Sequence, residues 1–413
     1  MQDVALYQQL LGLASPWRVQ SVELKIKEQE VEVVVAYDPA TTWACPECRQ
    51  AMGIHDHVER RWRHLDSCQF KTMVRARVPR VRCAEHGVVT VRVPWAEERG
   101  RFTRLFERLA IDVLKECSVS GACELLRISW DEAQGILERA VARGLARKKE
   151  QPLRCLAIDE KSFRKRHDYV TLVVNLEGAG ESATVEYVGE GRDEQSLEGF
   201  WRGLTESRRA QIEAVAVDLW QGYQNSVRAH LPAAEQKIVH DRFHLMRHMV
   251  VAVDKVRKQE HRELLREGFD LLSGTKYWWL HGRESLPPQH RAEFAIVKGA
   301  NLKVGRAWSI KETLRQLWDY RDLGAAEKFF GRWYGWAIRS RLEPVKKVAR
   351  LFKRHLKNIL TFVRHPITTA AAEGLNGKIQ EVKKRAYGFR NRAHFRTAIY
   401  FHCGGLDLYP AAQ

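Results

Sequence analysis

The sequence contains no long apolar stretch, and no run approaches the ~20 residues that a membrane-spanning helix requires. The first residues, MQDVALYQQLLGLASPW, lack a basic segment followed by an apolar one, so we expect no signal peptide and a cytoplasmic location. Internal repeats and low-complexity tracts are also lacking. These absences exclude a membrane-spanning helical protein and argue against export.

Acidic residues are the scarcer charge, with 51 Asp and Glu against 69 Lys and Arg, and the net charge is +18. The composition, with 45% hydrophobic residues among 413, is that of a folded protein of roughly two to four domains. So basic a protein is expected to bind a polyanion, and nucleic acid before a membrane. The basic excess is concentrated in residues 60–82 and 337–402, which favours two contacts with a phosphate backbone over two solvated faces.

Alternation of apolar and polar residues predicts a small β-rich module over residues 1–100, with strands within 20–37, 70–82 and 88–93. Residues 103–146 change to a helical period, and Ser129 with Glu132 has the pattern of a capping box. We therefore predict a helix-turn-helix domain over 101–150. A plain three-helix linker bundle is the alternative interpretation.

From residue 153 the order of predicted elements is β-β-β-α-β-α-β-α, which matches an RNase-H-like mixed sheet flanked by helices. We predict this α/β domain over 151–413, with a helical insertion at about 245–365. The fold class is thus α+β and multidomain. Tryptophans of the insertion are expected to pack in a core, with stacking on DNA bases as the alternative. They are Trp278, Trp279, Trp308, Trp318, Trp333 and Trp336.

The eight cysteines indicate metal binding rather than disulfides, because a reducing compartment is expected. The segments CPEC and CAEH supply two pairs of ligands at short spacing, Cys45 with Cys48 and Cys83 with His86. This Cys₃His set suits a structural, tetrahedral Zn²⁺. Buried free cysteines are the alternative, and substitute ligands would be Cys68, His55, His57 and His64.

Three acidic residues form a candidate site for a divalent cation. Asp159 and Asp218 are each expected at the end of an apolar strand, and Glu373 stands alone among small residues before a basic run. Helix capping and a surface position are the alternative roles. Asp241 or His244 could replace one of the three or support them. Basic residues expected to hold phosphates are Lys378, Lys383, Lys384, Arg385, Arg390 and Arg392.

Several motifs together closely resemble the bacterial insertion-sequence transposases of the ISL-three family, from about Cys45 to Phe401. They are CPEC, CAEH, AIDEKS, VDLWQGY, HDRFHLMRH and EGLNGKIQEVKKRAYGFRN, with the helix-turn-helix between the second and third. The resemblance implies an N-terminal zinc-binding domain, a helix-turn-helix domain and a DDE catalytic domain of RNase-H-like fold. It places the acidic triad on Asp159, Asp218 and Glu373. Many relatives carry cysteine at the position of His86, and imidazole is also a good zinc ligand.

The resemblance also implies an activity and partners. We expect Mg²⁺-dependent DNA strand cleavage and strand transfer, with Mn²⁺ as a substitute, on double-stranded DNA bound at terminal inverted repeats. We expect a homodimer in the DNA complex and association with the nucleoid. A non-catalytic zinc and helix-turn-helix regulator is one alternative, but it has no need for three acidic residues. A metal-dependent nuclease on the same fold is the other.

Overall fold

The computed structural model describes residues 3–164, 168–177, 183–367 and 370–411. These residues form two compact units. The first unit comprises the described parts of Met1–Lys149, Lys384–His402 and Leu406–Gln413, and the second unit those of Glu150–Lys383 and Cys403–Gly405. Within the described ranges, no helix is both long enough and apolar enough to cross a membrane.

The strands, in chain order, are β1 (Trp17–Lys25), β2 (Glu30–Tyr37), β3 (Trp43–Ala44), β4 (Ala51–Met52), β5 (Ile54–Ser67), β6 (Phe70–Cys83), β7 (Gly87–Thr90), β8 (Cys155–Arg164), β9 (Asp168–Asn175), β10 (Thr184–Glu190), β11 (Ala214–Val217) and β12 (Ile238–His240). The helices are α1 (Asp3–Leu10), α2 (Arg104–Glu116), α3 (Val119–Leu126), α4 (Trp130–Arg147), α5 (Glu198–Arg202), α6 (Glu206–Gln211), α7 (Gln221–His230), α8 (Ala234–Lys237), α9 (Arg242–Arg266), α10 (Lys276–Leu280), α11 (Arg291–Gly299), α12 (Lys303–Leu314), α13 (Leu323–Arg339), α14 (Glu343–Arg354), α15 (Leu356–Leu360), α16 (Ala370–Arg385) and α17 (Arg392–Cys403).

The larger sheet of the first unit has the strand order β1–β2–β6–β5, with β7 paired to β6. β1 and β2 form the antiparallel hairpin predicted over 20–37, whereas β2 and β6 run parallel. Trp62 and Trp95 lie in its core, both 0% exposed. The structure has strands in the predicted segments 20–37, 70–82 and 88–93, but β5 is not evident from the sequence because histidine and charged residues occupy most of its positions.

The three predicted helices of the first unit are α2, α3 and α4. Ser129 caps α4, and its own backbone N–H donates to the carboxylate of Glu132, which completes the predicted capping box. Arg127 ends α3 in the left-handed region, at a φ of 54°, so the chain turns within a few residues into α4. The two helices thus have the connection that a helix-turn-helix requires.

Segments from the C-terminal part of the chain complete the core around these helices. Phe401 and Leu408 are 4% and 2% exposed and belong to the same apolar cluster as α2 and α4. Arg147 of α4 donates from Nη1 to the carbonyl of Tyr409 at 2.7 Å. The sequence assigned residues 384–402 and 406–413 to the domain over 151–413, but their described residues belong to the first unit. Apart from this difference, the division of the chain into domains over 1–100, 101–150 and 151–413 stays a prediction.

The sheet of the second unit has the order β10–β9–β8–β11–β12. β9 pairs antiparallel with both β8 and β10, as the short predicted connections suggest. β11 is parallel to both β8 and β12. One expectation is wrong, because β8 does not end at Asp159 but continues to Arg164 along its ladder with β9.

The predicted helical region over 245–365 contains α9 to α15, with short 3₁₀ turns between some of them. Trp279, Trp308, Trp318 and Trp333 are at most 4% exposed and lie in one core. They cannot stack on DNA bases without unfolding that core. Trp278 packs against the same core, and Trp336 is 38% exposed.

Candidate functional site

A small cavity of about 20 Å³ in the second unit brings the candidate acidic residues together. Apolar side chains from β8, β11 and α16 form part of its lining. The polar side chains of the lining are Asp159, Asp218, Asp241, His244 and Glu373. The three acidic residues proposed from the sequence and the rival pair therefore line one cavity.

Strand register explains why three aspartates meet at this point. Ala216 of β11 pairs in parallel with Ala157 of β8. Two residues further along each chain segment, Asp218 therefore lies beside Asp159. Val217 of β11 pairs in parallel with His240 of β12, so the next residues, Asp218 and Asp241, lie side by side. Side chains that follow parallel strands in register lie at the same edge of the sheet.

Both carboxylate oxygens of Asp159 accept hydrogen bonds. Oδ1 accepts the backbone N–H of Glu160 at 2.8 Å, and Oδ2 accepts Nδ2 of Asn376 at 2.5 Å. Burial raises the pKa of Asp159 above its ordinary value, although the two hydrogen bonds oppose the rise. A partly desolvated carboxylate is stabilised in its charged form by a cation, so this position favours a metal ion.

Asp218 is held by its own turn and by an arginine. Its Oδ1 accepts the backbone N–H of Trp220 at 2.7 Å, and Nη2 of Arg192 lies 3.4 Å from its Oδ2. The same Nη2 is 3.1 Å from Oε1 of Glu160. Burial, with the charge of Asp218 as a second cause, raises the pKa of Glu160 to about 7. Neither Glu160 nor Arg192 was identified from the sequence.

Asp241 and His244 are linked to each other at the start of α9. Oδ1 of Asp241 accepts the N–H of Phe243 at 2.9 Å and caps the helix. Its Oδ2 lies 2.8 Å from Nδ1 of His244, and this hydrogen bond raises the pKa of His244. Asp241 therefore caps α9 and orients His244 toward the cavity.

Glu373 lies in the first turn of α16, on the helix that also carries Asn376. Among the described residues, its carboxylate takes part in no hydrogen bond or ion pair. Of the acidic side chains that line the cavity, Glu373 therefore has the fewest hydrogen-bond and ion-pair partners among the described residues. Asn376 was missed by sequence reasoning, and only its spacing of three from Glu373 could have indicated it.

The six basic residues expected near Glu373 are divided between the units. Lys378 and Lys383 belong to the second unit, and the first unit holds Lys384, Arg385, Arg390 and Arg392. Lys383 donates from Nζ to the carbonyl of Ser162 at 2.7 Å, and Arg385 from Nη1 to that of Glu116 at 2.8 Å. Lys378 and Lys384 are exposed.

Much of the basic charge in residues 60–82 is neutralised within the first unit. Ion pairs join Arg61 to Glu30, Arg63 to Asp66, Arg75 to Glu59 and Arg80 to Asp56. The arginines of α4 are paired in the same way. Those pairs are Arg139 and Arg143 with Glu107, and Arg147 with Asp407. Fewer cations are therefore free for a phosphate backbone than the charge count suggests.

Four candidate zinc ligands converge in the first unit. Cys45 and Cys48 lie in the turn between β3 and β4, Cys83 ends β6, and His86 precedes β7. Their ligand atoms all lie within 4.8 Å of one another. The Sγ atoms of Cys48 and Cys83 are 3.7 Å apart, and Nδ1 of His86 is 3.5 Å from Sγ of Cys83. Zn–S bonds of about 2.3 Å in a tetrahedron give S···S separations of about 3.8 Å, so the cluster fits Zn²⁺.

The local chemistry of this cluster favours the thiolate form of one ligand, Cys83. The hydrogen bond with His86 is the main cause that lowers the pKa of Cys83 to about 6. Gly87 adopts a φ of 68°, which lets the chain turn directly from His86 into β7. The thiolate is the form of cysteine that binds metal, so Cys83 is prepared for a cation.

The alternative zinc ligands lie outside this cluster. Cys68 is exposed in the turn between β5 and β6. Each of the three histidines has a different partner: His55 with Arg82, His57 with Tyr37, and His64 with Thr103. The structure therefore gives no support to their role as substitutes.

Three family models match the chain in the order of the features described above. A model described as "Transposase" matches residues 156–399, which include all the acidic lining of the cavity. The "Helix-turn-helix domain of transposase family ISL3" matches residues 91–141. The "zinc-finger of transposase IS204/IS1001/IS1096/IS1165" matches residues 41–86, which contain the four clustered ligands.

Curated relatives extend this similarity over most of the chain. The transposase for insertion sequence element IS1001 of Bordetella parapertussis is 28% identical over 360 residues, covering 85% of this chain and 86% of the relative. The transposase for insertion sequence element IS1557 of Mycobacterium tuberculosis is 27% identical over 421 residues, covering 95% and 93%. The alignments thus span almost the full length of these proteins.

Proposed function

We propose that this chain, which belongs to transposase family ISL3, cleaves DNA at the ends of an insertion sequence and joins the freed 3′-hydroxyl to target DNA. The observation that carries the proposal is the single cavity lined by Asp159, Asp218 and Glu373. Asp159 lies in β8, Asp218 directly follows β11, and Glu373 lies in α16, far away in the sequence. A regulator that only bound DNA would have no need to hold three carboxylates around one cavity.

We assign an RNase-H-like fold to the catalytic domain. The support is the strand order β10–β9–β8–β11–β12, in which an antiparallel set is followed by two parallel strands. In open sheets with parallel strands, ligands bind at the carboxyl ends of those strands. Asp218 directly follows β11, and Asp241 directly follows β12.

The donor set fits Mg²⁺, and Mn²⁺ as a substitute, because both ions prefer carboxylate oxygens. A space of about 20 Å³ accommodates a particle of about the size of one water molecule. A bound ion would stabilise negative charge on the reacting phosphodiester and lower the pKa of an attacking water. Asp159, Asp218 and Glu373 are the residues that would hold it.

The other residues of the site position these ligands. Asn376 orients Asp159, and the backbone N–H of Trp220 orients Asp218. Asp241 holds His244 at the cavity wall. Of the basic residues after Glu373, the exposed Lys378 and Lys384 are the first candidates for phosphate contact. Lys383 and Arg385 would have to leave the carbonyls that they now contact.

Recognition of the terminal inverted repeats is assigned to the zinc cluster region and the helix-turn-helix of the first unit. The matches to a zinc finger and a helix-turn-helix domain support this assignment. An element has two ends in inverted orientation, so a homodimer would present one copy of each site to each end. This role implies that the protein binds double-stranded DNA and associates with the nucleoid when it is bound to DNA.

The test is incubation of the protein with Mg²⁺ and DNA that carries candidate terminal repeats, with cleavage, joining and binding measured on the same preparations. Glu373→Gln, Asp159→Asn and Asp218→Asn should each reduce cleavage by roughly a thousandfold or more and retain DNA binding. Asp241→Asn is the matched control and should be milder. Normal cleavage by Glu373→Gln with an inactive Asp241→Asn would reject the triad. Cleavage without joined products would identify a nuclease instead.

A further inference from the structure

Arg192, in the segment between β10 and α5, contacts Asp218 of the cavity lining. Its Nη2 lies 3.1 Å from Oε1 of Glu160 and 3.4 Å from Oδ2 of Asp218, and its side chain is 30% exposed. One guanidinium therefore bridges two carboxylates, one of which is assigned above to metal binding.

Aromatic rings hold this guanidinium in place. Its central carbon is 4.6 Å from the ring centre of Trp220 and 5.6 Å from that of Tyr169. The indole Nε1 of Trp220 donates to the carbonyl of Arg192 at 2.9 Å, so the backbone is fixed as well. Within the described chain, the buried Nε of Arg192 has no hydrogen-bond partner. The side chain is thus held beside Asp218 and Glu160 rather than free in solvent.

The position of Arg192 creates a conflict with a metal ion. Oδ1 of Asp218 is already occupied by the N–H of Trp220, and Oδ2 is the oxygen near Arg192. Oε1 of Glu160 and Oδ2 of Asp218 lie 3.1 Å and 3.4 Å from the same nitrogen of Arg192, so the two carboxylates are close neighbours. A cation between them offsets their mutual repulsion, and in this arrangement Arg192 supplies it.

We propose that Arg192 is the counter-cation of Asp218 and of its neighbour Glu160. It occupies Oδ2 of Asp218 when no metal is bound, and a divalent cation displaces it from that oxygen. The ion pair with Glu160 keeps the displaced guanidinium beside the site. Arg192 is a positioning residue. It lowers the affinity of the site for a metal ion that binds without DNA. This inference rests on the proposed function, because it takes Asp218 as a metal ligand.

The first test is calorimetric titration of Mn²⁺ into the zinc-loaded full chain without DNA. Arg192→Gln removes the competing charge and should bind Mn²⁺ roughly tenfold more tightly than the wild type. Arg192→Lys keeps the charge and should stay close to the wild type. Arg202→Gln is the matched control, because Arg202 is 78% exposed and pairs with Glu198 on α5. It should leave the Mn²⁺ affinity unchanged.

The second measurement separates this role from a merely structural one. Without Mn²⁺, Arg192→Gln leaves Glu160 and Asp218 without a counter-charge and should lower the Tm. Saturating Mn²⁺ should remove that difference. A structural role would lower the Tm equally in both conditions, and that result, or unchanged Mn²⁺ affinity, overturns the proposal.

Two further variants complete the test. If Arg192→Gln fails to fold, Glu160→Gln replaces it and should weaken Mn²⁺ binding, because Arg192 then engages Asp218 alone. Unchanged binding by that variant also rejects the proposal. Asp218→Asn distinguishes failure of the metal site from failure of the role of Arg192. Wild-type Mn²⁺ binding by Asp218→Asn would reject the metal site itself, whereas loss of binding there with no effect of Arg192→Gln rejects only the role of Arg192.

Discussion

Nδ2 of Asn376 donates a 2.5 Å hydrogen bond to Oδ2 of Asp159, and this contact joins α16 to the central strand β8. Glu373 lies on the same helix three residues earlier, so both residues are on one face of α16. A single amide therefore links the position of Glu373 to that of Asp159. We therefore expect the arrangement of Asp159 and Glu373 to depend on this amide.

Replacing Asn376 with alanine should reduce DNA cleavage by about 10–100-fold, the usual effect of losing a residue that orients a metal ligand. DNA binding should be unchanged, because no charge is removed. Gln380→Ala, at an exposed position of the same helix, is the control and should cleave normally. Full cleavage by Asn376→Ala would show that α16 is positioned without this hydrogen bond.

Removing zinc ligands should unfold one part of the chain only. We expect one Zn²⁺ per chain, and Cys45→Ser combined with Cys48→Ser should abolish it and unfold the β-rich module. The sheet of the second unit has its own apolar core and should remain folded. Elemental analysis gives the zinc content, and hydrogen exchange of β6 and β8 gives the folding of each unit. Absence of zinc in protein purified without chelator would contradict this prediction.

Acidification should weaken the first unit through His64. This side chain is 3% exposed and hydrogen-bonded to Thr103, and burial lowers its pKa to about 4. The unfolded chain, with a histidine pKa of about 6.5, binds more protons between these values, so stability falls as the pH decreases through that range. The loss is about 2 kcal/mol at pH 5 relative to pH 7.5. His64→Gln should remove this loss of stability, which hydrogen exchange of β5 measures at each pH. If the pH dependence is the same in His64→Gln, His64 is not its source.

The salt dependence of DNA binding should reveal the phosphate contacts of α16. Each contact contributes about −0.9 to the slope of log K against log salt concentration. Lys378→Ala and Lys384→Ala should each flatten the slope by about that amount and preserve the preference for terminal repeats. Lys258→Ala is the control, because Lys258 already pairs with Asp254 at 2.7 Å. Unchanged slopes would place Lys378 and Lys384 away from DNA.

The helices α2 to α4 should be destabilised by a substitution far away in the sequence. Leu408 is 2% exposed in their core, so Leu408→Ala should cost about 2–4 kcal/mol. Leu145→Ala is the control on α4, where the side chain is 42% exposed, and should have little effect. Hydrogen exchange of α2 and α4 measures both. Equal protection in the two variants would contradict this account of the core.

Local patterns allowed part of the site to be predicted from the sequence. The two short cysteine motifs lie in turns, where sequence spacing directly limits ligand distance, and the cluster of Cys45, Cys48, Cys83 and His86 agrees with that reading. Asp218 follows an apolar run that had to be a buried strand. In both cases the information lies within a few neighbouring residues.

Other features depend on contacts between distant residues, and no local pattern records them. Arg192 and Asn376 reach Asp218 and Asp159 from separate elements, and neither has a distinctive neighbourhood in the sequence. The charge count does not record such pairing either. Within the basic run 60–82, for example, Arg80 is paired with Asp56 inside the first unit. Pairing across the fold, rather than composition, decides which cations are free.

The burial of Leu408 in the core of α2, α3 and α4 has a consequence for synthesis on the ribosome. Arg143 of α4 donates a hydrogen bond to the carbonyl of Leu408, and 265 positions separate the two residues. At about 5–20 residues per second, translation needs about 13–50 s to cover that distance. During this interval the nascent α2, α3 and α4 expose apolar side chains that Phe401 and Leu408 later cover. The helix-turn-helix therefore reaches its native stability only late in translation, long after its own codons have been read.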